Sequence, residues 1–147
     1  MSFGGIKRDQ TDDLFSKLVR ERANWTCEDT GVYFPEDRRQ ALHCAHVFGR
    51  RHKATRWNSL NAVSLSAARH MYYTENPVEF VEWVKDHYEK TYGPYAFETL
   101  RELHNRIMKV TKADKREMNK HFRAELKRMQ GLRNQGEQGR IEFEDFL

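Results

Sequence analysis

Apolar residues along the chain fall into separate runs, and each run carries its own period. Leu14, Phe15, Leu18 and Val19 share one face at helical spacing over Thr11 to Arg22, with charged residues opposite. Thr11 or Asp12 can cap that helix. Trp25, Cys27, Val32, Tyr33 and Phe34 then flank the turn-like Glu28-Asp-Thr-Gly31, the pattern of a small hairpin or knuckle. Ala41 to Phe48 predicts a short strand, 48–57 a polar loop, and Leu60 to Leu65 a second extended segment. Ser66 to Tyr73 predicts a short helix stopped before Pro77. Phe80, Val81, Val84 and Tyr88 mark a strong amphipathic helix that ends at Gly93-Pro94. Phe97, Leu100, Leu103 and Ile107 mark another from about Tyr95 to Val110.

The last third changes character. Lys112 to Arg133 holds eight Lys/Arg against three acids, and its apolar stripe is thin: Met118, Phe122, Leu126, Met129. The spacing is helical, and a stripe this thin suits a helix that protrudes. A Gly/Gln/Asn-rich linker over 131–139 leads to an acidic, aromatic tail, Ile141 to Leu147. This tail suits docking either on the basic helix or on a partner protein. There is no internal repeat.

Composition narrows the class. With 147 residues, 38% of them hydrophobic, the chain is long enough for one domain with a modest core plus an appendage. A net charge of +4 and a pI near 9.1 favour a polyanionic partner. No run is long and apolar enough to span a bilayer, and the N-terminus lacks a signal-peptide core, so the expectation is a cytoplasmic protein without membrane contact. Cys27 and Cys44 form no disulfide framework there.

The candidate chemistry is His46, Asn61 and His70, separated by 14 and 8 intervening residues. A strand-loop-strand-helix unit of this size can bring His46 and His70 to one cleft. Phosphodiester hydrolysis needs a base that is neutral near pH 7, which imidazole supplies. It also needs charge stabilisation of the phosphate and leaving oxygen, which a divalent cation supplies. An Asn amide between them can pin the connecting loop. His46 is therefore the candidate general base, Asn61 the loop-fixing residue and His70 the metal ligand. The intervening loop carries Arg50, Arg51, His52, Lys53 and Arg56, a candidate phosphate surface. On an alternating strand Cys44 shares a face with His46, while His43 points the other way. Both are further candidate ligands, and Cys44 is better explained as a buried small hydrophobe. His52 suits a phosphate contact or a solvated loop, and Trp57 packing beneath that loop or stacking on an unpaired base. On the basic helix, Lys112, Lys115, Arg116, Lys120 and Arg123 are DNA-contact candidates, alongside a solvated or dimer-forming role.

The run His43-Cys-Ala-His-Val-Phe-Gly-Arg-Arg-His-Lys-Ala-Thr-Arg-Trp-Asn-Ser-Leu-Asn61 resembles the heart of the phage NinG/Rap recombination nucleases, a group of the HNH (ββα-metal) superfamily. So does the opening run 13–22 followed by Trp25-Thr-Cys27, and the helix from Asn76-Pro77. The resemblance covers roughly residues 12–105. It implies an α+β, mainly helical fold, with a ββα-metal core at about 41–73 inside a nuclease domain of 11–110. Around it lie a flexible 1–10, a basic helical extension over 111–133 and a linker and acidic tail over 134–147. It implies an endonuclease of phage origin acting on branched or recombination-intermediate DNA, with Mg²⁺, or Mn²⁺ or Zn²⁺, as divalent cofactor. His46, Asn61 and His70 match the family's base, motif Asn and metal position. A homodimer is implied by analogy.

Two departures matter. The family's paired Cys-x-x-Cys motifs stand here as Cys27-Glu-Asp-Thr30 and Ser66-Ala-Ala-Arg69, so structural zinc is not expected, because it needs four good ligands. The knuckle must then be held by packing through Trp25, Tyr33 and Phe34. The position before the base, an Asp or His in many relatives, is Ala45. These losses motivate the alternative of a non-catalytic DNA-binding protein on a degenerate scaffold.

Overall fold

The computed structural model describes residues 6–147. Residues 1–5 of the expected flexible N-terminus lie outside the described residues. Helix α1 (Gln10–Arg22) opens with a reciprocal capping box: Asp9 accepts from the Asp12 amide at 3.0 Å, and Asp12 accepts from the Asp9 amide at 2.9 Å. The cap is thus Asp9, because only Asp9 has an acidic partner three residues on. Phe15, Leu18 and Val19 are fully buried.

A knuckle follows. Cys27 N–H donates to Val32, and Phe34 N–H to Trp25, around Gly31 at φ 76°, a turn conformation that favours glycine. Trp25 is buried but Tyr33 is 53% exposed, so packing alone does not hold the knuckle. Glu28 does much of that work. Its backbone N–H donates to Ser64 at 2.8 Å and its carboxylate accepts from the Ser64 amide at 2.6 Å. The same carboxylate takes His87 and Arg140, each at 2.8 Å.

A 3-10 turn (Glu36–Ala41) leads into β1 (Leu42–His46), which pairs antiparallel with β2 (Ala62–Ser66), Leu42 opposite Ser66 and His46 opposite Ala62. The expected polar loop between them contains a helical turn, α2 (Lys53–Arg56), and a 3-10 turn (Ser59–Asn61). The chain passes from β2 directly into α3 (Ala67–Glu75), whose first turn Ser66 caps by accepting from the Arg69 amide. Pro77 then starts α4 (Pro77–Tyr92) at a position where its missing N–H costs nothing. Helix α5 (Ala96–His104) ends six residues before the expected boundary, and Ile107 is fully exposed rather than part of its stripe.

The architecture is α+β, mainly helical with one two-stranded antiparallel sheet. The sheet lies between two apolar clusters. On one side Cys44 and Ala62 meet α1, and on the other Ala45, Val63 and Leu65 meet the knuckle, α3, α4 and α5. Contact on both faces leaves Ala62 to Leu65 buried in succession, Ser64 included.

The basic helix does not protrude. Helix α6 (Lys112–Asn134) lays Met118, Phe122 and Met129 on α1 and closes the first cluster. Its stripe is thin because the tail covers the rest: Ile141 and Phe143 are buried there too. The tail docks on its own chain. Ile141 N–H donates to Arg22, Arg128 donates to the Glu142 carbonyl, and Asp145 accepts from the amide and hydroxyl of Ser59. No helix among the described residues is long and apolar enough to cross a membrane.

Candidate functional site

Strand β1 presents its histidines on opposite sides. Odd positions look toward α3, and α3 returns over the sheet immediately after β2. His43 and His70 therefore meet: their Nδ1 atoms are 3.0 Å apart, with the rings at 85°. Because only one can donate, the pair is built for at most one proton at that contact. Burial, and then the neighbouring His43, push the His70 pKa down from its ordinary value. Two nitrogen ligands at about 2.0–2.1 Å from one cation, at bond angles near 90–110°, stand about 3.0–3.4 Å apart. The His43–His70 spacing fits such a bite. Among the described residues no group of three or more His, Cys, Asp or Glu side chains is placed to hold a metal ion. Water and phosphate oxygens must complete any shell, an arrangement that Mg²⁺ accepts.

His46 faces the other way, toward α1, with its ring 5.8 Å from Phe15. Burial lowers its pKa to about 4, the Asp12 charge opposing and the Arg50 charge adding to the shift. It is neutral at physiological pH, and its Nε2 is buried without a hydrogen-bond partner. Cys44 lines the same cleft as His43 and His70, but burial pushes its thiol up to about 12. A thiol held protonated is a poor ligand, and Cys44 instead packs on the α1 cluster.

Asn61 is fully buried and grips the loop twice. Its Oδ1 accepts from the Phe48 amide at 2.8 Å, and its Nδ2 donates to the Phe48 carbonyl at 2.9 Å. Its own carbonyl accepts from Val47. The clamp fixes the backbone two residues after His46.

The basic residues separate into three groups. Arg50 is half-buried, and Arg51 and Lys53 face solvent on the loop. Arg56 turns inward, against the expectation of a phosphate contact. It is 4% exposed and holds Asp12 through Nε at 2.9 Å and Nη2 at 2.5 Å. His52 is packed as well, its ring centroid 4.2 Å from that of His104, which itself stacks on Phe48. Trp57 packs beneath the loop and donates to Asp12. On α6, Lys112, Arg116, Lys120 and Arg123 are exposed. Their spacing puts them within about 80° of one another around the helix, roughly opposite the face that meets α1. They point away from α1 and the sheet behind it. Lys115 is occupied by Asp9 at 2.7 Å and lies over Trp57.

The cleft beside the histidine pair, about 290 Å³, is also lined by Arg8, Ser16, Arg20 and Gln40. Sequence reasoning did not select these. Ser16 and Arg20 sit one turn apart on α1, and their signal was available: they are polar positions bordering the buried stripe of Phe15, Leu18 and Val19.

The knuckle positions that resemble zinc ligands still converge. Arg69 donates to Asp29 at 2.6 Å, and the Tyr73 hydroxyl donates to the same oxygen at 3.1 Å. Burial would raise the Cys27 pKa, but hydrogen bonds from Thr30, Ser66 and Asp29 outweigh it and lower it. An ion pair and backbone donors occupy the place of a thiolate cluster.

No family model, curated relative or solved structure matches this chain.

Proposed function

We propose that this chain is a metal-dependent endonuclease of the HNH type that hydrolyses DNA phosphodiester bonds. The observation that carries the reading is the His43–His70 pair, two imidazole nitrogens 3.0 Å apart in a cleft with Arg8 and Arg20. A divalent cation held there by His43 and His70 would supply charge stabilisation for the phosphate and the departing oxygen. His46 is the proposed base: its ring faces α1, and its Nε2 is uncommitted to any protein group. It meets His70 at a second cleft of about 180 Å³ that both residues line, so its ring must turn into that cleft to take the proton of the attacking water. Asn61 keeps the loop after His46 in one place, and Arg50 and Arg51 on that loop are the proposed phosphate contacts. The substrate class, branched or recombination-intermediate DNA, follows from the resemblance of residues 43–61 to the NinG/Rap nucleases.

A second reading, a non-catalytic DNA-binding protein on the same scaffold, is favoured by two observations. His46 Nε2 is shielded from solvent, and among the described residues no third protein ligand joins the histidine pair. The two readings part in one assay. Linear, single-stranded, forked and four-way DNA are incubated with Mg²⁺, Mn²⁺ or EDTA, using the wild type and His46→Ala. The nuclease reading expects cutting that EDTA stops and His46→Ala abolishes, with DNA binding retained. Binding without cutting in either metal would establish the second reading instead.

A further inference from the structure

Most half-buried cations of this fold are matched to a carboxylate: Arg56 to Asp12, Arg69 to Asp29, Arg140 to Glu28, Lys115 to Asp9. Arg20 and Arg39 are not. Among the described residues neither makes an ion pair, and the Arg39 Nε is buried with no hydrogen-bond partner. Both guanidiniums lie against one ring, 4.9 Å and 4.1 Å from the Trp25 centroid. That ring is itself fixed. The Trp25 backbone is left-handed at φ 54°, and its indole N–H donates to Glu21 at 2.5 Å.

The two arginines open onto different clefts. Arg20 borders the cleft of His43 and His70. Arg39 borders a cleft of about 530 Å³ with Tyr33 and Arg133, and the carboxylates Glu21 and Glu137 also line it. The Trp25 ring that both guanidiniums touch lines the second of these clefts, so it links the arginine beside the histidine pair to the arginine beside the knuckle. Tyr33, which contributes little to the core, is exposed at the far end.

Resting on the nuclease reading, we propose that Arg20 and Arg39 form a ledge that grips successive phosphates of one DNA strand, leading it from the His43–His70 cleft to the knuckle, where Tyr33 stacks on a base. Arg20 gives Nε to the Ser16 carbonyl at 3.1 Å and Nη1 to the Leu42 carbonyl at 3.5 Å, so its remaining donor capacity, like that of Arg39, has no carboxylate to meet. Guanidiniums without a carboxylate partner on a rigid aromatic support suit phosphate oxygens, and an exposed tyrosine suits an unpaired base. The ledge, rather than the stripe on α6, is the path beside the candidate site, because that stripe faces away from α1.

The test is binding of a fluorescein-labelled single-stranded oligothymidine in EDTA, followed by anisotropy across a salt series. Arg20→Gln and Arg39→Gln are each expected to reduce the salt slope by about 0.7, the loss of one strand phosphate, while Arg116→Gln and Arg123→Gln leave it unchanged. Tyr33→Ala, at an exposed position that does not threaten folding, is expected to weaken binding about tenfold. Thermal melts confirm that the arginine variants are folded. Wild-type slopes in both ledge variants and unchanged affinity in Tyr33→Ala would overturn the ledge and leave the nuclease reading standing. Absence of any DNA binding by the wild type, on single-stranded or four-way DNA, would overturn both.

Discussion

Asp12 and Arg56, 44 residues apart, form a two-point ion pair with side chains 3% and 5% exposed, and the Trp57 indole N–H donates to the same carboxylate at 3.1 Å. This joins α1 to the loop between the strands and removes Arg56 from the solvent-facing surface. Arg56→Ala or Asp12→Ala leaves a buried charge without its partner, at an expected cost of about 3–5 kcal/mol. Denaturant unfolding checks this. A loss below about 1 kcal/mol in both variants would show that the pair is not closed in solution.

Asn61 holds both backbone groups of Phe48, so Asn61→Ala strands a donor and an acceptor in a buried place. The expected loss is about 2 kcal/mol of stability. Under the nuclease reading, the loop after His46 also drifts, and cleavage falls about a hundredfold. Asn61→Asp, which keeps the acceptor and loses the donor, should fall between the two. Equal activity in all three proteins would separate the clamp from catalysis.

Acid should destabilise this fold in two steps. His46 is held at about 4, below the ordinary 6.5, so the unfolded chain takes up that proton first. Its contribution is fully present above about pH 6.5 and is lost as pH falls toward 4. Burial opposes ionisation of Glu28, but His87, Arg22, Arg140 and the Ser64 amide hold it at about 2. That contribution is present above about pH 4.5 and is lost as pH falls toward 2. Urea midpoints at pH 7.5, 5.5 and 4.0 should decline, and His46→Gln should flatten the upper part of the decline. A midpoint constant from pH 7.5 to 4.0 would contradict the burial of His46.

The knuckle should not depend on zinc. The Arg69–Asp29 pair and the Glu28 clamp stand in its place, so EDTA should leave the melting temperature unchanged. Glu28→Ala should lower stability by about 3–5 kcal/mol, since it strands His87, Arg140 and the Ser64 amide. A melting temperature that EDTA lowers and Zn²⁺ restores would mean that Cys27 and its neighbours hold metal after all.

Helix positions were legible wherever a full amphipathic stripe met a clear stop, as at Pro77 and at Gly93-Pro94. Two kinds of information were not. The first is what covers a face. The stripe of α6 looked too thin to pack because Ile141 and Phe143, seven and nine residues beyond the helix, complete its cluster. The second is direction within a polar run. Arg50, Arg51 and Arg56 look alike in sequence, and only the position of Asp12 on α1 turns Arg56 inward. The site followed the same division. Strand alternation set His43 apart from His46. It did not show that α3 would bring His70 to His43, because that depends on the immediate turn from β2 into α3. Alternation likewise put Cys44 with His46, while burial makes that thiol an unsuitable ligand.

The account stands most directly on His43 and His70 as a metal pair. The measurement is the initial rate of cleavage of labelled four-way DNA against Mn²⁺ concentration for the wild type, His43→Ala and His70→Ala, with DNA binding followed in parallel. The account predicts metal-dependent cutting by the wild type. It also predicts a metal requirement at least about tenfold higher in each variant, as expected when one ligand is lost, with DNA affinity in EDTA unchanged. Wild-type metal curves in both variants, or no cutting by the wild type at any Mn²⁺ concentration, would contradict it.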